Sequence, residues 1–523
     1  FYTAFGLTWL IYLVWFIADY STQIHFSLAI FFQSIFFITF YITFLSYKLL
    51  NNEKFAATDI LLVMANSFIY YGIGYDVLNG HIVAEQLLGL FTVANAVVHF
   101  IVSFIIHKRK LADKNLQYLI TGIVLTFLTI AVPVQLNGNW VSLLWAGEAT
   151  ILFWIGINKQ LQFYERLAYS LMLLAFFSIV QDWNEVYTNY NPQLPATKIW
   201  PFINVYFLSS VLFIAAFAFI NYQAIKVPIQ GNLMLKNTFT RLMGFVMPAV
   251  LIISIYFSFR LEISNYWHQL YADSALIIPS ANKTYENYYW NNDLKQMKVI
   301  WNLNYSLFFV GLLLFVNLKK FKNRQLGNVS LGLLVVVILV YLIQGLLALS
   351  ILRESFISQK MAKYYHIGAI NWIIRYISYA FVAFLLIASY QYIKLMLTNK
   401  QWQINYDLLL HTTVLWIASS ELIHLMDMLR AEQSYKLGLS ILWGIYALFL
   451  IILGIWKKNQ PLRIGAIALF SITLVKLFFY DISHLNTIAK TIVFVSLGLL
   501  LLIISFLYNK YKYLIANEEA SDN

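Results

Sequence analysis

Sixteen runs of mostly apolar residues follow one another along the chain, and a helix needs about twenty such residues to cross the hydrocarbon core of a bilayer. They lie near 1–18, 26–48, 59–78, 84–106, 116–136, 140–158, 165–182, 201–223, 239–261, 298–318, 328–351, 370–395, 405–428, 436–456, 461–481 and 487–508. None shows the period-two alternation of a membrane barrel, so strands are not expected. Of 523 residues, 61% are hydrophobic and 11% charged. A soluble domain carries roughly 25% charged residues. The expectation is one all-α polytopic transmembrane helical bundle over 1–523, with lipid as its solvent and about 16 spanning helices. The chain begins inside an apolar run at Phe1, so a segment preceding it is expected.

A net charge of +12 would raise nucleic acid in a soluble protein. Here Lys and Arg sit in short loops without a separate basic domain, and no nucleic-acid partner is expected. With odd-numbered runs pointing outward, inner loops hold twenty-two Lys and Arg and outer loops eleven. Both ends, including the tail 509–523, are therefore expected in the cytoplasm. There is no Cys, which excludes disulfide and thiolate chemistry. The chain lacks a phosphate-binding glycine loop, an HExxH zinc pair and an Arg ladder, so nothing points to ATP coupling or a voltage sensor. No cofactor is named by the sequence.

Two outer connections are long, 183–200 and 262–297, and both are rich in Tyr, Trp and Asn. They read either as an interfacial aromatic belt or as a stacking surface for a glycan or a partner protein.

Ionisable residues inside spanning helices are costly and face a bundle interior or a wet cavity. Those within runs are Glu148, Arg375, Glu421, His424 and Lys476, with Asp76, Asp182, Asp427, Arg430, Asp481 and His484 at run ends. Most fall in the outer half of the bilayer, which predicts a polar cavity opening outward. Glu421, His424 and Asp427 recur at i, i+3 and i+6 and share one drifting helix face. Three readings stand. One is a stripe paired with Arg375, Arg430 or Lys476. Another is an acid–base or proton-relay site, because His and a desolvated Glu titrate near neutrality. The third is a metal site, which needs a fourth ligand from elsewhere; no metal is assigned. Glu421, His424 and Asp182 are the candidate catalytic residues, and Glu148, Arg375, Lys476 and Asp481 the candidate substrate contacts. Glu148 could equally serve as one half of an ion pair.

The hairpin 140–182 is echoed by 438–481. Trp145 answers Trp443 and Gly156 answers Gly454, then a basic loop leads to Arg166 or Arg463, and the helices end in Asp182 or Asp481. Parallel repeats of this kind occur in transporters and also arise from plain duplication. FLTIAVPVQLNGNWVSLLWAGEATILFWIG at 127–156, LWIASSELIH at 415–424, and LGIWKKNQPLRIGAIALFSITLVKLFFYDISHL through SLGLLLLIISFLY at 453–508 carry a wider likeness. On these the chain resembles the bacterial domain-of-unknown-function 2339 family of predicted membrane proteins. The resemblance implies a multi-pass bacterial inner-membrane protein, often with an N-terminal extension, and carries no catalytic residue with it.

Three functions follow as expectations. One is an envelope enzyme handling a lipid-linked or glycan substrate at an outward-facing polar cavity. Another is a transporter or flippase. The third is a non-catalytic membrane subunit of an envelope protein complex. Membrane lipids are partners in all three.

Overall fold

Apolar runs of this length become helices because hydrocarbon offers no water, and a helix satisfies its own backbone groups. The computed structural model describes residues 1–51, 57–109, 114–136, 138–226, 238–279, 286–397, 399–430, 434–457 and 459–477, with scattered positions from 491 to 510. Among the described residues, 14 helices are long and apolar enough to cross a membrane. The architecture is all-α and polytopic. The run at 461–481 is helical from Gln460 to Lys476, and its end, with most of 487–508, lies outside the described residues.

The chain divides into two compact units. The first comprises 1–189 and 202–258. It holds α1 (Tyr2–Asp19), α2 (Thr22–Leu50), α3 (Ala57–Asn79), α4 (Leu88–Arg109), α5 (Lys114–Gln135), α6 (Asn139–Asn158), α7 (Gln162–Thr188), α8 (Val205–Lys226) and the beginning of α9 (Thr238–Asp273). Its core gathers Trp9, Phe37, Val77, Ile120 and Phe127. The second comprises 190–201 and 259–523. It holds the remainder of α9, α10 (Asn292–Val316), α11 (Arg324–Val340), α12 (Leu346–Ser358), α13 (Ile370–Met396), α14 (Lys400–Met428), α15 (Ser434–Trp456) and α16 (Gln460–Lys476). Its core gathers Leu307, Leu314, Ile338, Leu352 and Leu385.

The connection 262–297 is shorter than its sequence suggests. α9 runs on to Asp273 and α10 begins at Asn292. At about 1.5 Å per residue, α9 is roughly 54 Å long, well beyond a hydrocarbon core of about 30 Å. Between the helices lie two strands that the sequence reading did not expect, β1 (Leu276–Pro279) and β2 (Glu286–Tyr289), paired antiparallel with Leu276 opposite Tyr289. The other long connection also shrinks, because α7 continues to Thr188. Its remainder is tied to the end of α9. Tyr190 and Lys198 both donate to Asp273, and Gln269 exchanges two hydrogen bonds with the Ile199 backbone.

α11 and α12 form one continuous span, 324–358, interrupted by a π-turn at Tyr341–Gly345. A Cβ on Gly345 would lie 2.8 Å from the buried Tyr341 ring, so glycine leaves that ring its place.

Lipid tails give helices no hydrophobic reason to associate, so close packing and hydrogen bonds hold them. The α6–α7 and α15–α16 hairpins show this in matching detail. A Cβ on Gly156 would meet the Glu165 backbone nitrogen at 2.8 Å, and one on Gly454 would meet that of Arg463 at 3.1 Å. Leu161 N donates to Gly156 O, and Asn459 N to Gly454 O, both at 2.9 Å. Ser142 Oγ and Ser178 Oγ are hydrogen-bonded at 2.7 Å; Lys476 Nζ donates to Ser440 Oγ at 2.7 Å. All these positions correspond at one constant offset along the chain. That offset places Arg463 opposite Glu165, while Asp481 lies outside the described residues.

Candidate functional site

In the second unit, β2 and the start of α10 form one wall of a cavity of about 470 Å³. Tyr288, Tyr289 and Trp290 contribute aromatic faces, and the Tyr288 and Trp290 rings stack at 6.1 Å. α12 and the loop after it add Glu354, Ser355, Lys360 and Tyr365. The Asn291 side chain caps α10 by accepting from Asp293 N, which satisfies an orphan donor and fixes the first turn. Tyr365 fastens the hairpin, its hydroxyl lying 3.0 Å from both the Ser274 and Tyr289 carbonyls. Burial, with Tyr271 nearby, pushes the Tyr365 phenol above its ordinary pKa.

Asp293 links the cavity wall to the helices behind it. Its Oδ2 accepts from Ser355 on α12 at 2.8 Å and from Asn371 on α13 at 2.7 Å. One helical turn beyond Asn371, about 6 Å along the axis, stands Arg375. That guanidinium is 1% exposed. Its Nη1 donates to Tyr379 Oη at 3.0 Å and to Ser420 Oγ at 2.9 Å, and lies 3.7 Å from Glu421 Oε2. Glu421 also accepts from Tyr376 at 2.8 Å and from Tyr379 at 3.0 Å. Asp427, two turns further on α14, pairs with Arg353 of α12 at 2.7 Å. His424 lies between these acids along α14, nearly fully buried.

The structure thus brings together Arg375, Glu421 and His424 of the residues chosen from sequence. The pairing expected with Arg375 is present, but the partner of Asp427 is Arg353, which lies just beyond the apolar run 328–351. α12 continues past the end of its apolar run and carries Arg353 into the interior. The signal was available: ILRES keeps helical spacing after the run ends. No group of three or more His, Asp or Glu able to hold a metal ion occurs among the described residues.

The other candidates stand apart from this cluster. Lys476 bonds to Ser440 within the α15–α16 hairpin region. Asp481 lies outside the described residues. Glu148 and Asp182 belong to the first unit. The Glu148 carboxylate accepts from Thr129 Oγ1 at 3.1 and 3.2 Å, and among the described residues it has no cationic partner. Asp182 Oδ2 accepts from Ser142 at 2.6 Å.

Sequence reasoning also passed over a neutral polar seam in the first unit. Gln33, Asn66, Asn95 and His99 are all buried on α2, α3 and α4. Tyr41 Oη and His99 Nδ1 are 2.6 Å apart, and Trp9 donates to Asn66 at 3.0 Å. Uncharged amides inside an apolar run escape a search for charge.

A family model described as Predicted membrane protein (DUF2339) matches residues 1–511. No curated protein and no solved structure matches the chain.

Proposed function

The chain belongs to this DUF2339 family of predicted membrane proteins, and from that premise we propose that it is an envelope enzyme of the bacterial inner membrane, handling a lipid-linked or glycan substrate at the cavity of its second unit. The observation that carries the reading is the composition of that cavity. Tyr288, Tyr289, Trp290 and Tyr365 offer flat apolar faces, while Asp293, Glu354, Asn291 and Asn292 add hydrogen-bonding groups to the lining. A sugar ring has just this duality, with C–H faces that stack on aromatic rings and hydroxyls that pair with carboxylates and amides. Glu421 and His424 are the acid–base candidates. Glu421 keeps 23% of its side chain accessible and is oriented by Tyr376, Tyr379 and Arg375. Asp182 has no part in this reading.

Native mass spectrometry of the full chain, extracted with its own lipids, tests the proposal. A copurifying saccharide-bearing lipid is expected, and it should be lost in Trp290→Ala. If phospholipids are the sole adducts, the reading fails. Cells carrying Glu421→Gln or His424→Ala should accumulate the uncleaved or untransferred lipid-linked species; wild-type levels in both would remove the acid–base assignment.

A second reading, a transporter or flippase, is favoured by the matched hairpins, which we read as a duplicated element. It predicts that substrate crosses liposomes containing the pure protein. Hydrolysis or transfer without crossing decides for the enzyme.

A further inference from the structure

The ion pairs Arg375–Glu421 and Arg353–Asp427 leave guanidinium donors over. Among the described residues, the buried donors Arg353 Nε and Nη1 and Arg375 Nη2 have no hydrogen-bond partner, and neither do Tyr341 Oη and His424 Nδ1, which donate or accept according to hydroxyl rotation and ring tautomer. Their residues are 8%, 1%, 1% and 2% exposed, in the order Arg353, Arg375, Tyr341, His424. They share one neighbourhood: Arg375 reaches Glu421 and Arg353 reaches Asp427 on α14, His424 stands between these two acids on the same helix, and Tyr341 is within electrostatic reach of Arg375 and Glu421.

Each guanidinium uses one terminal nitrogen on its carboxylate, Arg353 through Nη2 and Arg375 through Nη1. The remaining edges are donor-only, because arginine has no acceptor. The nearby carboxylates are held elsewhere, Glu421 by two phenols and Asp427 by Arg353 Nη2, and in this arrangement neither is hydrogen-bonded to Arg353 Nε, Arg353 Nη1 or Arg375 Nη2. A buried donor without a partner costs its full desolvation, and several together in one place call for a ligand that brings acceptors. A phosphoryl group does so. It presents acceptor oxygens in a geometry that suits the planar fork of arginine. The π-turn at Tyr341–Gly345 points the same way, since π-turns inside helices concentrate at functional sites.

We propose that Arg353 and Arg375, with Tyr341 and His424, form a phosphate-binding site at the meeting of α12, α13, α14 and the π-turn. The proposal deepens the glycan reading and rests on it for the identity of the site: the substrate carries a phosphoryl group, as a lipid phosphate or a free phosphate ester does. Arg353 is adjacent in sequence to Glu354, which lines the cavity.

The test uses the full chain in a polyoxyethylene ether detergent, which contains neither phosphate nor sugar. Sodium pyrophosphate and dodecyl phosphate are titrated separately, with sodium chloride at matched ionic strength as the control. Saturable binding of either probe is expected, weakened about tenfold or more by Arg375→Gln. Binding of dodecyl phosphate alone identifies a lipid source; binding of pyrophosphate alone, or of both, identifies the phosphoryl group itself. Tyr341→Phe guards against misfolding, because it removes a hydroxyl that has no hydrogen-bond partner among the described residues. The site predicts weaker phosphate binding in this variant at unchanged thermal stability. Failure of both probes to bind, or equal binding by Tyr341→Phe, Arg375→Gln and the parent, overturns the proposal and leaves these donors to water. The two readings fail separately. Phosphate binding without a copurifying saccharide removes the glycan, whereas a copurifying saccharide without phosphate binding removes this site.

Discussion

Arg375 shows what a single charge can impose on a membrane-embedded bundle. Its guanidinium is satisfied on one side by Ser420, Tyr379 and Glu421, all reached from one nitrogen. Removing one member of a buried ion pair strands the other, at a cost of about 3–5 kcal/mol. Glu421→Leu should therefore lower stability by about that much, and Arg375→Leu/Glu421→Leu should recover a large part of it. Reversible unfolding in mixed micelles measures both; equal losses in the single and double variants would show that the pair is uncoupled. At the water-facing end, Tyr190 makes a different prediction. Burial and the bond to Asp273 push its phenol up to about 12. The contribution of that bond is complete below the ordinary phenol value of about 10, and is lost as pH rises through the folded value. Proteolysis of 190–201 should accelerate over that interval in the parent, with no such step in Tyr190→Phe. Sequence made Arg375, Glu421 and His424 visible because charge stands out inside an apolar run. It hid Arg353 beyond the end of its run, and it hid Gln33 and Asn95 because amides are neutral. Pairing was legible only for Arg375; the Arg353–Asp427 pair was not, because it depends on which helices are neighbours.

Among elements, the spacing of Trp145 from Trp443 and of Gly156 from Gly454 was legible in the sequence, whereas what the glycines do was not. The close backbone approach, the turn bond and the bonded pair that share this spacing depend on how neighbouring helices pack. Gly156 admits the backbone of α7 at a distance that no Cβ tolerates. Gly156→Ala should destabilise the α6–α7 hairpin by roughly 1–3 kcal/mol, as overpacking does. Gly147→Ala, on the same helix with open space around it, should be neutral or slightly stabilising. Thermal unfolding of the two variants checks the contrast, and similar losses would place the cause in helix propensity, not in packing. The extension of α9 was masked for another reason. Its last two turns are too polar for lipid, so a hydropathy reading ends the helix where the bilayer ends.

At the scale of the whole molecule, the apolar composition was decisive for architecture and uninformative about sidedness, which rests on the Lys and Arg asymmetry. Because the chain has no Cys, single cysteines report orientation without background. Lys360→Cys, at the cavity, should react with an impermeant maleimide added to intact spheroplasts. Lys322→Cys should react only after permeabilisation. The reverse pattern would turn the cavity toward the cytoplasm and remove the envelope-facing substrate from consideration.

The π-turn also bears on how such a helix evolves. An α-helix advances about 100° per residue, so an inserted residue would turn everything downstream by that angle unless one turn widens to take it up, as the π-turn at Tyr341–Gly345 does. The span that begins at Arg324 can thus carry one residue more than a uniform helix and still present Arg353 on the same face. A one-codon insertion at this place is absorbed locally, and both halves of the span keep their neighbours. Homologous chains one residue shorter between Tyr341 and Gly345 would be expected to lose the π-turn and still hold their arginine in the same direction.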